Sequence, residues 1–105
     1  KMRITQLINE NDNPVANHFV ITKRAGTSYL QSYDSIVCKV VEGGTTTFGA
    51  DWDYSRTTLR HLKGFIDGNK TTKELQHLVD VGLIEVNNNL KEEILKWQTI
   101  QLKAG

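Results

Sequence analysis

The chain has 105 residues, 38% of them apolar and 24% charged, with a formal net charge of +1. That size and composition fit one soluble domain whose core needs neither metal nor disulfide support, and they exclude a disordered chain. The near-zero net charge makes no bulk case for nucleic acid or an anionic membrane.

No apolar run approaches the roughly 20 residues of a membrane span. No charged segment followed by an apolar stretch opens the chain, and the lone Cys38 has no internal disulfide partner. A cytoplasmic, reducing setting is therefore expected.

Residues 2–17 read as an N-terminal helix and loop. Ile4, Leu7 and Ile8 stand at helical spacing, and the polar stretch that follows holds the only proline, Pro14. From 18 to 50 the apolar period becomes two. His18–Lys23 and Ser28–Tyr33 flank the turn Arg24–Thr27. Asp34–Ser35 leads into Ile36–Val41, and Gly43–Gly44 turns the chain into Thr45–Phe48. Four sequential strands joined by short turns predict an antiparallel β-meander.

A helical pair is expected over 53–82. Asp53 is placed to cap a helix from Tyr54 to about Asp67, closed by a left-handed Gly68, with Leu59, Leu62, Phe65 and Ile66 inward. Thr71 and Glu74 fit a capping box for a second helix, which Gly82 ends. Leu83–Val86 reads as a short strand. Leu90, Ile94 and Trp97 mark a C-terminal helix over 90–105. Strands followed by helices without βαβ alternation predict an α+β domain, with two or three helices packed on one face of the sheet.

Several strings resemble a family of small uncharacterised proteins from bacteriophages and bacterial mobile elements. They are Met2-Arg-Ile-Thr-Gln-Leu-Ile-Asn-Glu10, Asn13-Pro-Val-Ala-Asn17, Gln31-Ser-Tyr-Asp-Ser-Ile-Val37 and Trp52-Asp-Tyr-Ser-Arg-Thr-Thr-Leu59. The resemblance covers roughly residues 2 to 86 and leaves the C-terminal helix outside. It implies a phage-type origin and a host cytoplasm, and it names no catalytic or binding residue.

The most informative stretch for function is Asp51–Lys63. Arg56, Arg60 and Lys63 recur at i, i+4 and i+7, within roughly 60° of one another around a helix. Between Tyr54 and Lys73, five basic residues face Asp67 alone, a balance of +4. From Glu74 to Leu95 five acidic residues oppose Lys91, a balance of −4. With Trp52 and Tyr54 at the head of the helix, the stripe reads as a docking face for an acidic protein or for phosphates. The alternative is a solvated helix face with both aromatics plugging the core.

Tyr29 and Tyr33 share a strand face and are candidates for base stacking or an interface. Ile94 and Trp97 are candidates for a homodimer contact through the C-terminal helix.

The residues point to no enzyme. His18, His61 and His77 have no metal-ligand spacing among themselves or with Cys38, and no nucleophile–base pair or cofactor motif is legible. A non-enzymatic binding protein is therefore expected, acting by stoichiometric contact with a host or phage macromolecule, foremost a protein, without a cofactor. The phage type, and interference with a host defence or regulatory protein as one form of that contact, are what the resemblance implies. The alternative is a weak nucleic-acid-binding accessory protein using the same basic stripe.

Overall fold

The structure, a computed structural model, describes residues 2–9, 11–23, 26–66 and 68–96. The strands are β1 (Arg3–Ile8), β2 (Pro14–Thr22), β3 (Thr27–Ser32), β4 (Ser35–Val41), β5 (Thr46–Phe48) and β6 (Glu85–Val86). The helices are α1 (Arg56–Phe65) and α2 (Thr72–Asp80), followed by a third helical segment, α3, over 90–96. The fold is α+β. Its six strands lie in the order β1-β2-β3-β4-β5-β6, all neighbours antiparallel except β5 and β6. The expected meander is β2–β5, extended by one strand at each edge.

The N-terminal helix is a correction: residues 3–8 form β1, with Arg3 opposite Thr22 and Ile4 opposite Ile21. A helix of that length has too few backbone bonds to offset its nucleation cost, whereas the edge of β2 offers partners already fixed. The turn between them is held by the Asn9 side chain, whose Oδ1 accepts from the backbone N–H of Asn11 (2.9 Å) and Asn13 (3.0 Å). Pro14 opens β2, a position where its missing N–H costs nothing.

The pleat assigns side chains to two faces. Leu30, Cys38 and Phe48 are cross-strand partners on one face and pack with Leu62 of α1 and Leu75 of α2. Ile21, Tyr29 and Ile36 occupy the other face, where Leu90 and Ile94 of α3 cover them. The helices therefore lie on both faces, not one. The sequence predicts one covered face, but Ile21 and Ile36 on the second face are apolar and need a cover.

Tyr29, a candidate for base stacking or an interface, is fully buried. Its hydroxyl donates to Glu93 Oε1 at 3.0 Å and accepts from Lys23 Nζ at 3.2 Å. Lys39 Nζ pairs with the same Glu93 oxygen at 2.9 Å. Burial, then the hydrogen bond to Glu93 and its charge, push the Tyr29 phenol upward. Ile94 is buried against its own sheet, which removes it as a dimer contact, while Trp97 lies outside the described residues.

Burial alone would raise the Glu93 carboxyl, but hydrogen bonds from Lys39 and Tyr29, with the charges of Lys39 and Lys23, hold it below its ordinary value of 4.5. A carboxylate depressed in the folded state contributes stability above its unfolded pKa, and loses it as pH falls through the folded value. Thermal melts below pH 4.5 are expected to show a steeper acid loss in the wild type than in Glu93→Gln. Parallel curves would show that Glu93 does not anchor α3.

The start of α1 differs from expectation by two residues. Ser55, not Asp53, is the cap, its Oγ accepting from the Thr58 N–H at 3.1 Å. The helix closes on Ile66, and Gly68 has no left-handed φ. At α2 the capping box is present, Thr71 Oγ1 accepting from the Glu74 N–H and Glu74 Oε1 from the Thr71 N–H. Gly82 (φ +81°) ends that helix, with the Gly82 and Leu83 N–H groups returning to Val79 and Leu78 carbonyls. Leu83 nonetheless stays exposed, so the apolar contact that often accompanies this ending is not made.

Candidate functional site

The turn from Gly49 to Ser55 separates the two aromatic candidates. The Trp52 N–H donates to Gly49 O and the Tyr54 N–H to Asp51 O, which turns the two side chains to different sides. Trp52 is 4% exposed and leans on Phe48, ring centroids 4.8 Å apart and tilted by 33°. It plugs the end of the core and cannot reach a partner, a correction to its placement on the docking face. Tyr54 is 70% exposed.

Arg56 and Arg60 stand exposed on the outer side of α1. Lys63 is half buried and donates to Thr72 Oγ1 at 3.0 Å, tying α1 to the first turn of α2. The stripe thus reduces to two free-standing arginines below Tyr54. Beside Arg60 runs a groove of about 290 Å³ between α1 and the end of β1, with Leu7, Ile8 and Phe65 as its apolar walls. A basic rim over an apolar floor can receive an acidic segment carrying an apolar anchor.

A second cavity, about 250 Å³, opens where the β3–β4 turn meets the approach to α1. It is lined by Tyr33, Asp34, Ser35, Asp51 and Tyr54, with Ser32 and Val37 at its base. Tyr33 is 56% exposed, unlike Tyr29, so only one of the two candidate strand tyrosines is presented.

Beneath this cavity lies a polar chain that no spacing in the sequence announced. His18 Nδ1 is 2.8 Å from Ala16 O, which can only accept, so Nδ1 carries a proton, and in the neutral ring Nε2 is an acceptor. Ser32 Oγ, 3.1 Å away, donates to that Nε2. Thr58 Oγ1 then donates to Ser32 (3.2 Å), and Ser55 Oγ to Thr58 (3.0 Å).

This Ser32–His18 contact is the hydroxyl–imidazole pair the sequence was expected to lack. His18 is 1% exposed and Ser32 4%, and a backbone carbonyl stands where a catalytic triad has its carboxylate. The arrangement saturates buried polar groups and locks the first turn of α1 onto β2 and β3. His18 also meets His61 edge-on at 4.6 Å, which brings that α1 histidine to the sheet. The one available signal was strand parity, since His18 and Ser32 are cross-strand partners.

Cys38 is fully buried, and desolvation pushes its thiol up to about 12, partly countered by a backbone hydrogen bond at Lys39. Such a thiol is inert at neutral pH. His77 lies with Glu74 on an open hollow of about 350 Å³ on α2, but Glu74 is already committed to the capping box, which lowers its pKa. Among the described residues no group of three or more His, Cys, Asp or Glu side chains is placed to hold a metal ion. No described helix is long and apolar enough to cross a membrane.

No curated protein and no solved structure matches this chain. A family model does match residues 2–81, which span the sheet from β1 to β5 and both long helices. The chain therefore belongs to that family of unknown function, DUF8033.

Proposed function

We propose that this chain is a small non-enzymatic binding protein that acts by stoichiometric contact, and that Tyr54, Arg56 and Arg60 form its docking face. The observation that carries the reading is Tyr54, 70% exposed at the head of a helix whose outward side chains include two arginines. Large aromatic rings and arginines are the side chains that most often anchor protein interfaces, and the adjoining groove adds apolar walls. Closure of the Ser32–His18 pair and the inert Cys38 thiol favour contact over catalysis. A phage-type origin and interference with a host defence or regulatory protein rest on the sequence strings alone, and a cytoplasmic setting on those strings and the lone Cys38.

The second reading is weak nucleic-acid binding through the same arginines, with Tyr33 and Tyr54 as stacking residues. The exposure of both rings favours it. Such binding collapses steeply with salt, whereas an interface with an apolar centre resists it.

Affinity capture from a bacterial lysate, with and without nuclease, tests the choice. A protein retained after nuclease treatment and lost from an Arg56→Glu/Arg60→Glu double variant is the expected result. Capture abolished by nuclease would transfer the face to nucleic acid. Equal capture by wild type and variant would remove the arginines from the site.

A further inference from the structure

We propose that the cleft between the β3–β4 turn and the start of α1 receives a cationic side chain, an arginine head group presented by a basic segment of a partner polypeptide. Tyr33 and Tyr54 are among its lining residues, and its polar lining includes Asp34 and Asp51. A cavity of about 250 Å³ readily holds a guanidinium and part of its stem. Planar guanidinium groups stack on aromatic faces and bond carboxylates in a fork, so aromatic walls with carboxylates fit that head group best.

Three observations carry the assignment. First, the acids are free to act. Among the described residues the Lys39–Glu93 pair is the one ion pair, so neither Asp34 nor Asp51 makes a direct ion pair with a described cation. Asp51 is also pre-positioned, its Oδ2 accepting from Ser35 Oγ at 3.1 Å. Lys91 lines an adjoining cavity, which shares Asp34, Ser35 and Asp51 with the cleft.

Second, the chain keeps a tyrosine where the backbone disfavours one. Tyr33 has φ +54° in the turn between β3 and β4, a conformation that glycine or asparagine adopts at far lower cost. The strained residue is clamped on both sides, its N–H donating to Asn17 O at 2.7 Å and its carbonyl accepting from Gln31 Nε2 at 2.6 Å. Yet the residue is 56% exposed, its ring meeting that of His18 edge-on at 5.7 Å. A bulky ring held at a left-handed position and left largely in solvent adds little to the core. Strain retained in this way marks places where a side chain is kept for contact.

Third, Tyr54 faces the same cleft from a different element and is also exposed. Two rings from separate elements beside two acids are complementary to a cation and poorly suited to an anion. The cleft therefore selects for a partner segment of opposite charge to one that would lie along Arg56 and Arg60. It stands whether or not the α1 face binds.

The test is an amide chemical-shift titration of the whole chain with acetyl-Gly-Arg-Gly-amide, run beside the same peptide carrying neutral citrulline. Saturable shifts at Tyr33, Asp34, Asp51 and Tyr54, with a Kd on the order of 1 mM for a single head group, are expected. The citrulline peptide should bind at least about tenfold more weakly, as should Asp34→Asn/Asp51→Asn titrated with the arginine peptide. Tyr33→Gly relieves the left-handed strain, so it should melt no lower than wild type while weakening the peptide several-fold.

Arg56→Glu/Arg60→Glu should leave these shifts in place, so failure of the α1 face and failure of the cleft are read separately. Equal shifts from arginine and citrulline, or shifts confined to other surfaces, would overturn the assignment.

Discussion

Trp52→Ala is expected to destabilise the protein by about 3–5 kcal/mol, while Tyr54→Ala, two residues on, changes stability by no more than about 0.5 kcal/mol. The contrast follows from the turn that buries one ring on Phe48 and leaves the other in solvent. Removing the indole leaves a cavity bordered by Phe48 and its core neighbours, which strand pairing prevents from collapsing fully. Tyr54 is already largely in solvent, so removing its phenol uncovers little. Urea denaturation of both variants measures the difference, read as midpoints at unchanged m. A Trp52→Ala midpoint equal to wild type would mean the ring is a surface group and the core boundary is misplaced. The same pair separates folding from binding, because Tyr54→Ala should lose partner capture while keeping the wild-type melt.

Gly49→Ala is expected to cost about 3 kcal/mol, a loss of roughly 12–20 °C in melting temperature for a domain of this size. Gly49 is buried at the end of β5, its N–H bonded to Val37 O at 2.9 Å. A Cβ at this position would fall on the carbonyl oxygen of Ile36, with Ile36 C and the Val37 Cα close behind. All three obstacles are backbone atoms of β4 and cannot swing away as a side-chain end would. Val37 is also the residue of β4 that the register shift between Leu30 and Gln31 leaves without a β3 partner. Gly43→Ala is the control: its φ of +71° adds strain, but its Cβ would meet open space, so about 1 kcal/mol is expected. Thermal melts of the two variants should be well separated, and coincident melts would show that the β4–β5 approach is looser than described.

Much of this fold can be read along the chain because its turns carry local chemistry. Gly43 sits at the left-handed position between β4 and β5, Thr71 and Glu74 cap α2, and Gly82 ends it. What failed to show in sequence is what tertiary partners decide. Ile4, Leu7 and Ile8 satisfy a helical period, yet β2 recruits them as a strand because its edge needs backbone partners. The fate of Tyr29 stays open in sequence because nothing nearby announces Lys23 and Glu93, which arrive from two other segments to satisfy its hydroxyl, or Lys39, which pairs with Glu93.

The candidate site divides in the same way. Arg56 and Arg60 are outward because the apolar period of α1 turns the other way. Trp52 and Tyr54 have the same local signal and opposite fates, since only the turn geometry after Gly49 separates them. The Asp34–Asp51 cleft joins segments seventeen positions apart and has no footprint in any local window.

The central claim is that a partner touches the molecule at Tyr54 and the α1 arginines. The direct measurement places a photo-crosslinking amino acid at Tyr54 in one variant and at Leu83, equally exposed beyond α2, in another, and compares the adducts formed in cells. A discrete protein adduct from position 54, absent from position 83 and lost when Arg56→Glu/Arg60→Glu is added, is what the account predicts. An adduct from position 83 with none from position 54 would contradict it and move the interface to the other end of the helical layer.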